Sequence, residues 1–155
     1  MMNRPATGAG PNAGPEARLR TMRILWAVFL LTIGLFALMS HLARTDPKVG
    51  AETARDNPTL LYVLAAAALT SVVASFVVKA GFYRRGAERQ QPAQVQTGLV
   101  IALVLCEAAA LMGYVGVMVT WNDYAYLLFA LGALGELLHF PRRDQLISAY
   151  PRSVM

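Results

Sequence analysis

The sequence predicts an all-α fold, a bundle of four transmembrane helices, on three observations. Of the 155 residues, 56% are apolar and only 15% are charged, whereas an ordinary soluble domain carries about 25% charged residues. Four apolar runs alternate with polar segments that contain most of the arginine and proline. At about 1.5 Å of rise per residue, a hydrocarbon core of roughly 30 Å needs about 20 apolar residues, and the runs come close to that length.

The predicted helices lie in one transmembrane domain, residues 18–143, and they cover residues 22–43, 59–80, 97–120 and 124–140. The limits of the runs follow from residues that start or stop helices. Proline cannot donate a hydrogen bond into a continuing helix, so Pro47 ends the first helix. Asn57 and Pro58 suit the N-cap and the first position of the second helix.

The two ends of the chain are predicted to be polar tails. Residues 1–17 are rich in Gly, Pro, Ala and Asn and lack large apolar side chains, so they cannot bury enough surface to offset the entropy of ordering. We expect a disordered N-terminal tail there and a polar C-terminal tail over residues 144–155. The first apolar run is too long for a signal peptide, and no small-residue cleavage site follows it.

The distribution of basic residues predicts the orientation. Eleven of the 14 Lys and Arg residues flank one side of the predicted bundle, and the other three, Arg44, Lys48 and Arg55, lie in the loop between helices 1 and 2. The side with the excess of basic residues faces the cytoplasm. The sequence therefore predicts a multi-pass protein of a bacterial inner membrane with both termini in the cytoplasm.

A weak internal repeat suggests two helical hairpins. LLYVLAAA, beginning at Leu60, matches LLFALGAL, beginning at Leu127, and each opens the second helix of a hairpin. A duplication would give parallel repeats of the kind found in some transporters. The alternative is that Leu, Ala and aromatic residues recur in every membrane helix.

Glu107 is the leading candidate for a functional side chain, since it is the only charged residue in the third run. Counting residues from the cytoplasmic end places Thr32, Thr70 and Ser71 at a similar depth, so these four side chains are predicted to form a polar layer. In the structural interpretation, a protonated Glu107 hydrogen-bonds to a hydroxyl or carbonyl and tightens helix packing. In the functional interpretation, it binds a proton or a cation.

Glu136 and His139 form a secondary polar pair, three residues apart on helix 4. Their spacing is that of the Glu-x-x-His element of carboxylate-bridged metal sites, but we expect an ion pair of Glu136 with a cation such as Arg23 or Lys79 instead. Cys106 is the only cysteine, so we expect it to serve packing. No cofactor fingerprint or nucleophile motif is present, and the sequence predicts neither a cofactor nor a metal.

One segment resembles a known family. Residues 85–115 share a polar loop, a Gln-Thr helix start and a mid-helix carboxylate followed by alanine with the proteolipid subunit c of rotary ATP synthases; the residues are Arg89, Gln90, Gln91, Pro92, Gln96, Thr97, Glu107 and Ala108. That resemblance implies that Glu107 carries a proton or sodium ion and that the loop faces the cytoplasm. The preceding helix lacks the glycine repeat of that family, and helices 1 and 4 have no counterpart in it.

The chain as a whole resembles small four-helix membrane proteins of bacteria that end in a Leu-His-Phe-Pro-Arg stretch, here Leu138 to Arg142. That resemblance implies the fold and no activity.

Three functions are compatible with this sequence. The first is a non-catalytic accessory or scaffold subunit, in a homo-oligomer or a larger membrane complex, because buried polar chemistry is scarce and small residues recur every four positions on helices 2 and 3. The second is a proton- or cation-translocating protein in which Glu107 carries the ion. The third is an enzyme acting on lipid through Glu136 and His139. The expected partners are the lipid bilayer and other subunits, not nucleic acid, because the basic residues form no single patch.

Overall fold

The computed structural model describes residues 14–45 and 57–150, and all regular structure in these ranges is helical. Three long helices come first, α1 (Pro15–Thr45), α2 (Pro58–Glu88) and α3 (Pro92–Thr120). A 3₁₀ turn (Asp123–Ala125) leads into the shorter α4 (Tyr126–Leu138), and α5 (Arg143–Ile147) is a single short turn of helix near the C-terminus.

The three long helices are each long and apolar enough to cross a membrane, which indicates a multi-pass membrane protein. With 13 residues, α4 is about 20 Å long, shorter than a hydrocarbon core of roughly 30 Å. The all-helical class is therefore confirmed, with three long apolar helices and a shorter fourth one. The orientation and the proposed hairpin duplication remain predictions.

A central pair of helices, α3 and α4, organises the packing. Both α1 and α2 contact this pair, and they hardly touch each other. The close approach of α3 and α4 depends on Gly132, where an added Cβ would lie 2.8 Å from the carbonyl oxygen of Cys106. Such contacts between small residues allow backbones to approach closely in membrane helices.

The start of α2 agrees with its sequence signals. Asn57 is the N-cap, and its side-chain Oδ1 accepts a hydrogen bond of 3.1 Å from the backbone N–H of Leu60. Pro58 takes the first helical position, where its missing N–H leaves no hydrogen bond unmade. The predicted cap is confirmed.

The turn between α2 and α3 is much shorter than the polar segment in the sequence. Helix α2 continues to Glu88, and only Arg89 to Gln91 separate it from α3. The backbone N–H of Gln91 donates to the carbonyl of Gly86 at 2.9 Å, and Gln90 has the left-handed φ of 52° that closes the turn. A Cβ on Gly86 would lie 2.8 Å from Val95, so glycine lets the two helix ends meet.

The predicted tails lie only partly within the described residues. Residues 1–13, 46–56 and 151–155 are outside them. From Pro15 onward the N-terminal segment is helical, and Leu146 on α5 is buried in an apolar cluster with Leu19 and Leu99. Arg143, at the start of α5, forms an ion pair of 2.8 Å with Glu16, in the first turn of α1. This pair joins the C-terminal segment to α1.

Candidate functional site

The predicted polar layer does not come together. The hydroxyl groups of Thr32, Thr70 and Ser71 each donate to a carbonyl of their own helix, at 3.0, 2.8 and 3.0 Å. Thr70 is exposed on α2. Among residues 14–45 and 57–150, none of these hydroxyls hydrogen-bonds to Glu107. Satisfaction by the helix's own backbone is the usual state of Ser and Thr in apolar helices.

Glu107 lies half-buried on α3, beside a stripe of α3 that no other described helix covers. We call this stripe the open face of α3. It consists of four exposed apolar side chains at helical spacing, Val104, Leu111, Val115 and Val119. Within the described part of the chain, the Glu107 carboxyl makes neither a hydrogen bond nor an ion pair.

The structure does bring together a different set of polar side chains, which we call the buried polar cluster: Ser75, Lys79, Cys106, Glu136 and His139. Ser75 and Lys79 lie on α2, Cys106 on α3, and the other two at the end of α4. Ser75, Cys106, Glu136 and His139 are 0% exposed, and Lys79 is 8% exposed. This cluster contains the secondary pair of the sequence prediction and joins it to two other helices.

Ser75 is the centre of the cluster. Its Oγ lies 2.8 Å from Nε2 of His139 and donates to the carbonyl of Val72 at 2.6 Å. The thiol of Cys106 donates to the same oxygen at 3.6 Å. The His139 ring also packs on the ring of Phe76, with centroids 4.4 Å apart. One hydroxyl therefore links α2, α3 and the end of α4.

Lys79 and Trp26 satisfy carbonyl groups at the C-terminal end of α4, where a helix leaves its last carbonyls without internal partners. The Lys79 ammonium donates to the carbonyl of His139 at 3.4 Å and lies 5.2 Å from the centre of the Tyr83 ring. The indole N–H of Trp26 donates to the carbonyl of Glu136 at 2.7 Å. A cation at this position also suits the negative end of the helix dipole.

The expected ion pair of Glu136 with Arg23 or Lys79 is not formed. Lys79 contacts the His139 carbonyl, and Arg23 lies over the ring of Phe140 at 5.7 Å. Both carboxyl oxygens of Glu136 are buried with no hydrogen-bond partner among the described residues. Glu136 follows Gly135, which packs against Cys106, the residue before Glu107 on α3.

The Ser75–His139 distance resembles that of a nucleophile and its base, but the surroundings of this pair are closed. Both side chains are fully buried, and the Ser75 hydroxyl donates its hydrogen bond to the Val72 carbonyl. The apolar cleft of about 460 Å³ between α2 and α4 is lined by other residues, including Leu61, Tyr62 and Leu127. In this geometry the hydroxyl of Ser75 is buried and links three helices.

The described ranges contain no group of three or more His, Cys, Asp or Glu side chains that could hold a metal ion. Cys106 packs against α4, where a Cβ on Gly135 would lie 2.8 Å from its sulfur. Packing is the role expected for this thiol, and its hydrogen bond to Ser75 is an addition to that role.

No sequence pattern singles out Ser75, and the sequence predicts Lys79 as a partner of the Glu136 carboxylate, not of the His139 carbonyl that it contacts. The available signal was their spacing, since residues four apart lie on one helix face. Both are polar residues in the mostly apolar part of α2 that precedes Gly81. Their partners on α3 and α4 are too far along the chain for spacing to reveal.

Comparison with known proteins gives no relative. No protein-family model matches the chain, no curated protein matches it, and no solved structure matches its fold.

Proposed function

We propose that this chain is a non-catalytic integral membrane protein that acts as a subunit of a homo-oligomer or of a larger membrane complex. Its membrane is the bacterial inner membrane, and both termini face the cytoplasm. The observation that carries the proposal is the place of Glu107, whose carboxyl borders the open face of α3 and has no partner in the described residues.

The basic residues support this orientation. Arg23 on α1 and Lys79 on α2 lie at the end where α1 begins, while Arg44 lies at the other end of α1. Arg23 and Arg44 are 21 residue steps apart, which corresponds to about 31 Å of helix, close to the thickness of a hydrocarbon core. Basic residues are in excess at the Arg23 end, which is the side that faces the cytoplasm in most membrane proteins.

Glu107 is the sixteenth of the 29 residues of α3, so it lies well inside the apolar layer when α3 spans the membrane. A carboxyl group that is partly exposed to lipid is unfavourable at that depth whether it is charged or neutral, because hydrocarbon offers no hydrogen bonds. A second protein surface packed on the open face would cover the group and supply a donor. Ala108 beside it is small enough to let another helix approach.

Cross-linking in native membranes, with native mass in mild detergent, tests the assembly. We expect Val104→Cys and Leu111→Cys, both on the open face, to cross-link to a second copy or to another subunit, and the extracted particle to exceed the mass of a monomer. Val73→Cys is the matched control, because Val73 is equally exposed but lies on α2. A monomeric particle without cross-links at Val104 and Leu111 would contradict the proposal.

A second function, proton or cation translocation, is favoured by one specific observation. The Glu136 carboxyl is fully enclosed without a hydrogen-bond partner in the described residues, and the residues before Glu136 and Glu107, Gly135 and Cys106, pack against each other. Two negative charges in apolar surroundings repel each other strongly. A proton or a cation bound between the two carboxyl groups removes that repulsion, so this pair, not Glu107 with the hydroxyls, is the better candidate for an ion site.

Ion flux into proteoliposomes separates the two functions. For an ion-translocating protein we expect Glu107→Gln and Glu136→Gln to abolish the flux while the cross-linked assembly is retained. Glu88→Gln is the control, because Glu88 is an exposed carboxylate in the last turn of α2. A wild-type protein that carries neither protons nor alkali cations would leave only the subunit function.

A further inference from the structure

A cleft on α1, at the end of the bundle with the excess of basic residues, combines positive charge with apolar surface. It is an open groove of about 460 Å³, and all of its lining residues belong to α1: Glu16, Leu19, Arg20, Arg23, Ile24 and Ala27. We call it the α1 cleft. Arg20 and Arg23 lie on one helix face because they are three residues apart, and both are exposed.

The charge of the α1 cleft is positive. Arg143 engages the one acidic residue of the lining, Glu16, at 2.8 Å. Arg20 and Arg23 form no ion pair with any residue of 14–45 or 57–150. Arg23 is held in place over the ring of Phe140, 5.7 Å from its centre. Two guanidinium groups are thus left available to an anion, and guanidinium is the group best suited to phosphate.

The α1 cleft also continues into an apolar strip. Ile24 and Ala27 line the cleft, and Val28 and Leu31 continue along the exposed side of α1 toward the other end of the bundle. Trp26 and Phe140 form an edge-to-face pair at the same level, with centroids 5.1 Å apart. Aromatic rings of this kind are enriched at the membrane–water interface, where lipid phosphates lie.

We propose that the α1 cleft binds an anionic phospholipid. Its phosphate lies between Arg20 and Arg23, and one acyl chain lies along Ile24, Ala27 and Leu31. A lipid fits this surface better than a soluble phosphate does, because the strip next to the arginines is apolar and extends in the direction of an acyl chain. A zwitterionic lipid fits less well, since its cationic group meets two unpaired guanidinium groups.

Titration of the delipidated full-length protein in detergent with short-chain phosphatidylglycerol or phosphatidylcholine, read by native mass spectrometry, tests the proposal. Each arginine near a membrane surface contributes about 1 kcal/mol to the binding of anionic lipid, which is about fivefold in affinity. We expect Arg20→Gln/Arg23→Gln to weaken phosphatidylglycerol binding about thirtyfold and to leave phosphatidylcholine binding unchanged.

Arg84→Gln/Arg85→Gln is the matched control, because it removes two exposed charges from the same end of the molecule on α2. A much smaller loss in this control supports a defined site. An equal loss in both double variants, or a wild-type protein with no preference for phosphatidylglycerol, would overturn it. If millimolar inorganic phosphate displaced the lipid, the proposed binding of an acyl chain along α1 would be overturned. Lipid binding that persists in millimolar phosphate supports a lipid as the ligand.

Discussion

Ser75 on α2 and His139 at the end of α4 are joined by a buried contact of 2.8 Å between Oγ and Nε2, although 64 residues separate them in the chain. The same hydroxyl oxygen accepts the thiol of Cys106 on α3. The Ser75 side chain thus links three helices. All three partners are fully buried, so water does not replace these hydrogen bonds. Buried hydrogen bonds of this kind make a packing arrangement specific, and their loss leaves partners unsatisfied.

Ser75→Ala tests that contact. The substitution leaves Nε2 of His139 buried without its partner, and an unsatisfied buried polar group costs about 1–3 kcal/mol. We therefore expect a lower free energy of unfolding, measured by denaturant titration in mixed micelles. Ser71→Ala is the control, because the Ser71 hydroxyl bonds only to the Ala67 carbonyl of its own helix. Equal stability of the two variants would show that the Ser75–His139 contact does not hold the bundle.

The contact of α3 with α4 depends on the absence of a side chain at Gly132. A Cβ there would lie 2.8 Å from the backbone oxygen of Cys106 and 3.2 Å from the nitrogen of Ala110. Because backbone atoms cannot rotate away, Gly132→Ala should force the helices apart at a cost of about 1–3 kcal/mol, typical of overpacking.

Gly34→Ala is the matched control for this substitution, since a Cβ at Gly34 meets nothing within 4 Å. Alanine favours a helix interior over glycine by about 1 kcal/mol, so Gly34→Ala should be neutral or stabilising. Thermal unfolding in detergent measures both variants. An unchanged Gly132→Ala would contradict the packing described for α3 and α4, and a destabilised Gly34→Ala would contradict the open surroundings of Gly34 on α1.

The sequence predicts most of the helices correctly, but it does not predict which polar side chains meet in the bundle. Apolar runs and start signals such as Asn57–Pro58 are local, and the structure follows them. The extension of α2 to Glu88 was missed because polar residues at a helix end look like a loop, although Arg84 and Glu88 are correctly spaced for a helical ion pair. The Ser75–His139 contact cannot be predicted from local patterns, because the packing of the helices decides which residues of α2 and α4 lie opposite each other.

Arg44 joins the end of α1 to the turn between α3 and α4. Its guanidinium pairs with the Asp123 carboxylate, donates to the Trp121 carbonyl at 2.8 Å and lies over the Trp121 and Tyr126 rings. Arg44→Gln removes all of these contacts, and we expect a loss of about 1–2 kcal/mol, since a hydrogen bond and a cation–π contact each contribute about 1 kcal/mol.

Arg84→Gln provides the comparison for Arg44, because Arg84 forms an exposed ion pair with Glu88 at 3.7 Å. Such pairs contribute about 0.5 kcal/mol or less. Denaturant titration of the two variants at low salt should therefore separate them. If Arg84→Gln were as damaging as Arg44→Gln, the contacts of Arg44 with the turn would not be what stabilises this end of the bundle.

Leu146 places the C-terminal segment on the bundle. It is 1% exposed and packs in the apolar cluster with Leu19, Met22 and Leu99. Leu146→Ala removes buried methyl groups and leaves a cavity, which costs about 2–5 kcal/mol in well-packed cores. Since α5 is short and has few other anchors, we expect most of this loss to appear as local release of the segment.

Limited trypsin digestion of the purified protein detects that release. Cleavage after Arg143 requires α5 to unfold locally, so Leu146→Ala should be cut faster than the wild type under native conditions. Leu138→Ala is the control, because Leu138 is an exposed leucine at the end of α4, shortly before this segment. Equal cleavage rates in the wild type and in Leu146→Ala would mean that Leu146 does not anchor α5. Faster cleavage in Leu146→Ala alone would establish that residues beyond α4 form part of the folded domain, because only a docked segment gains accessibility when its buried side chain is truncated.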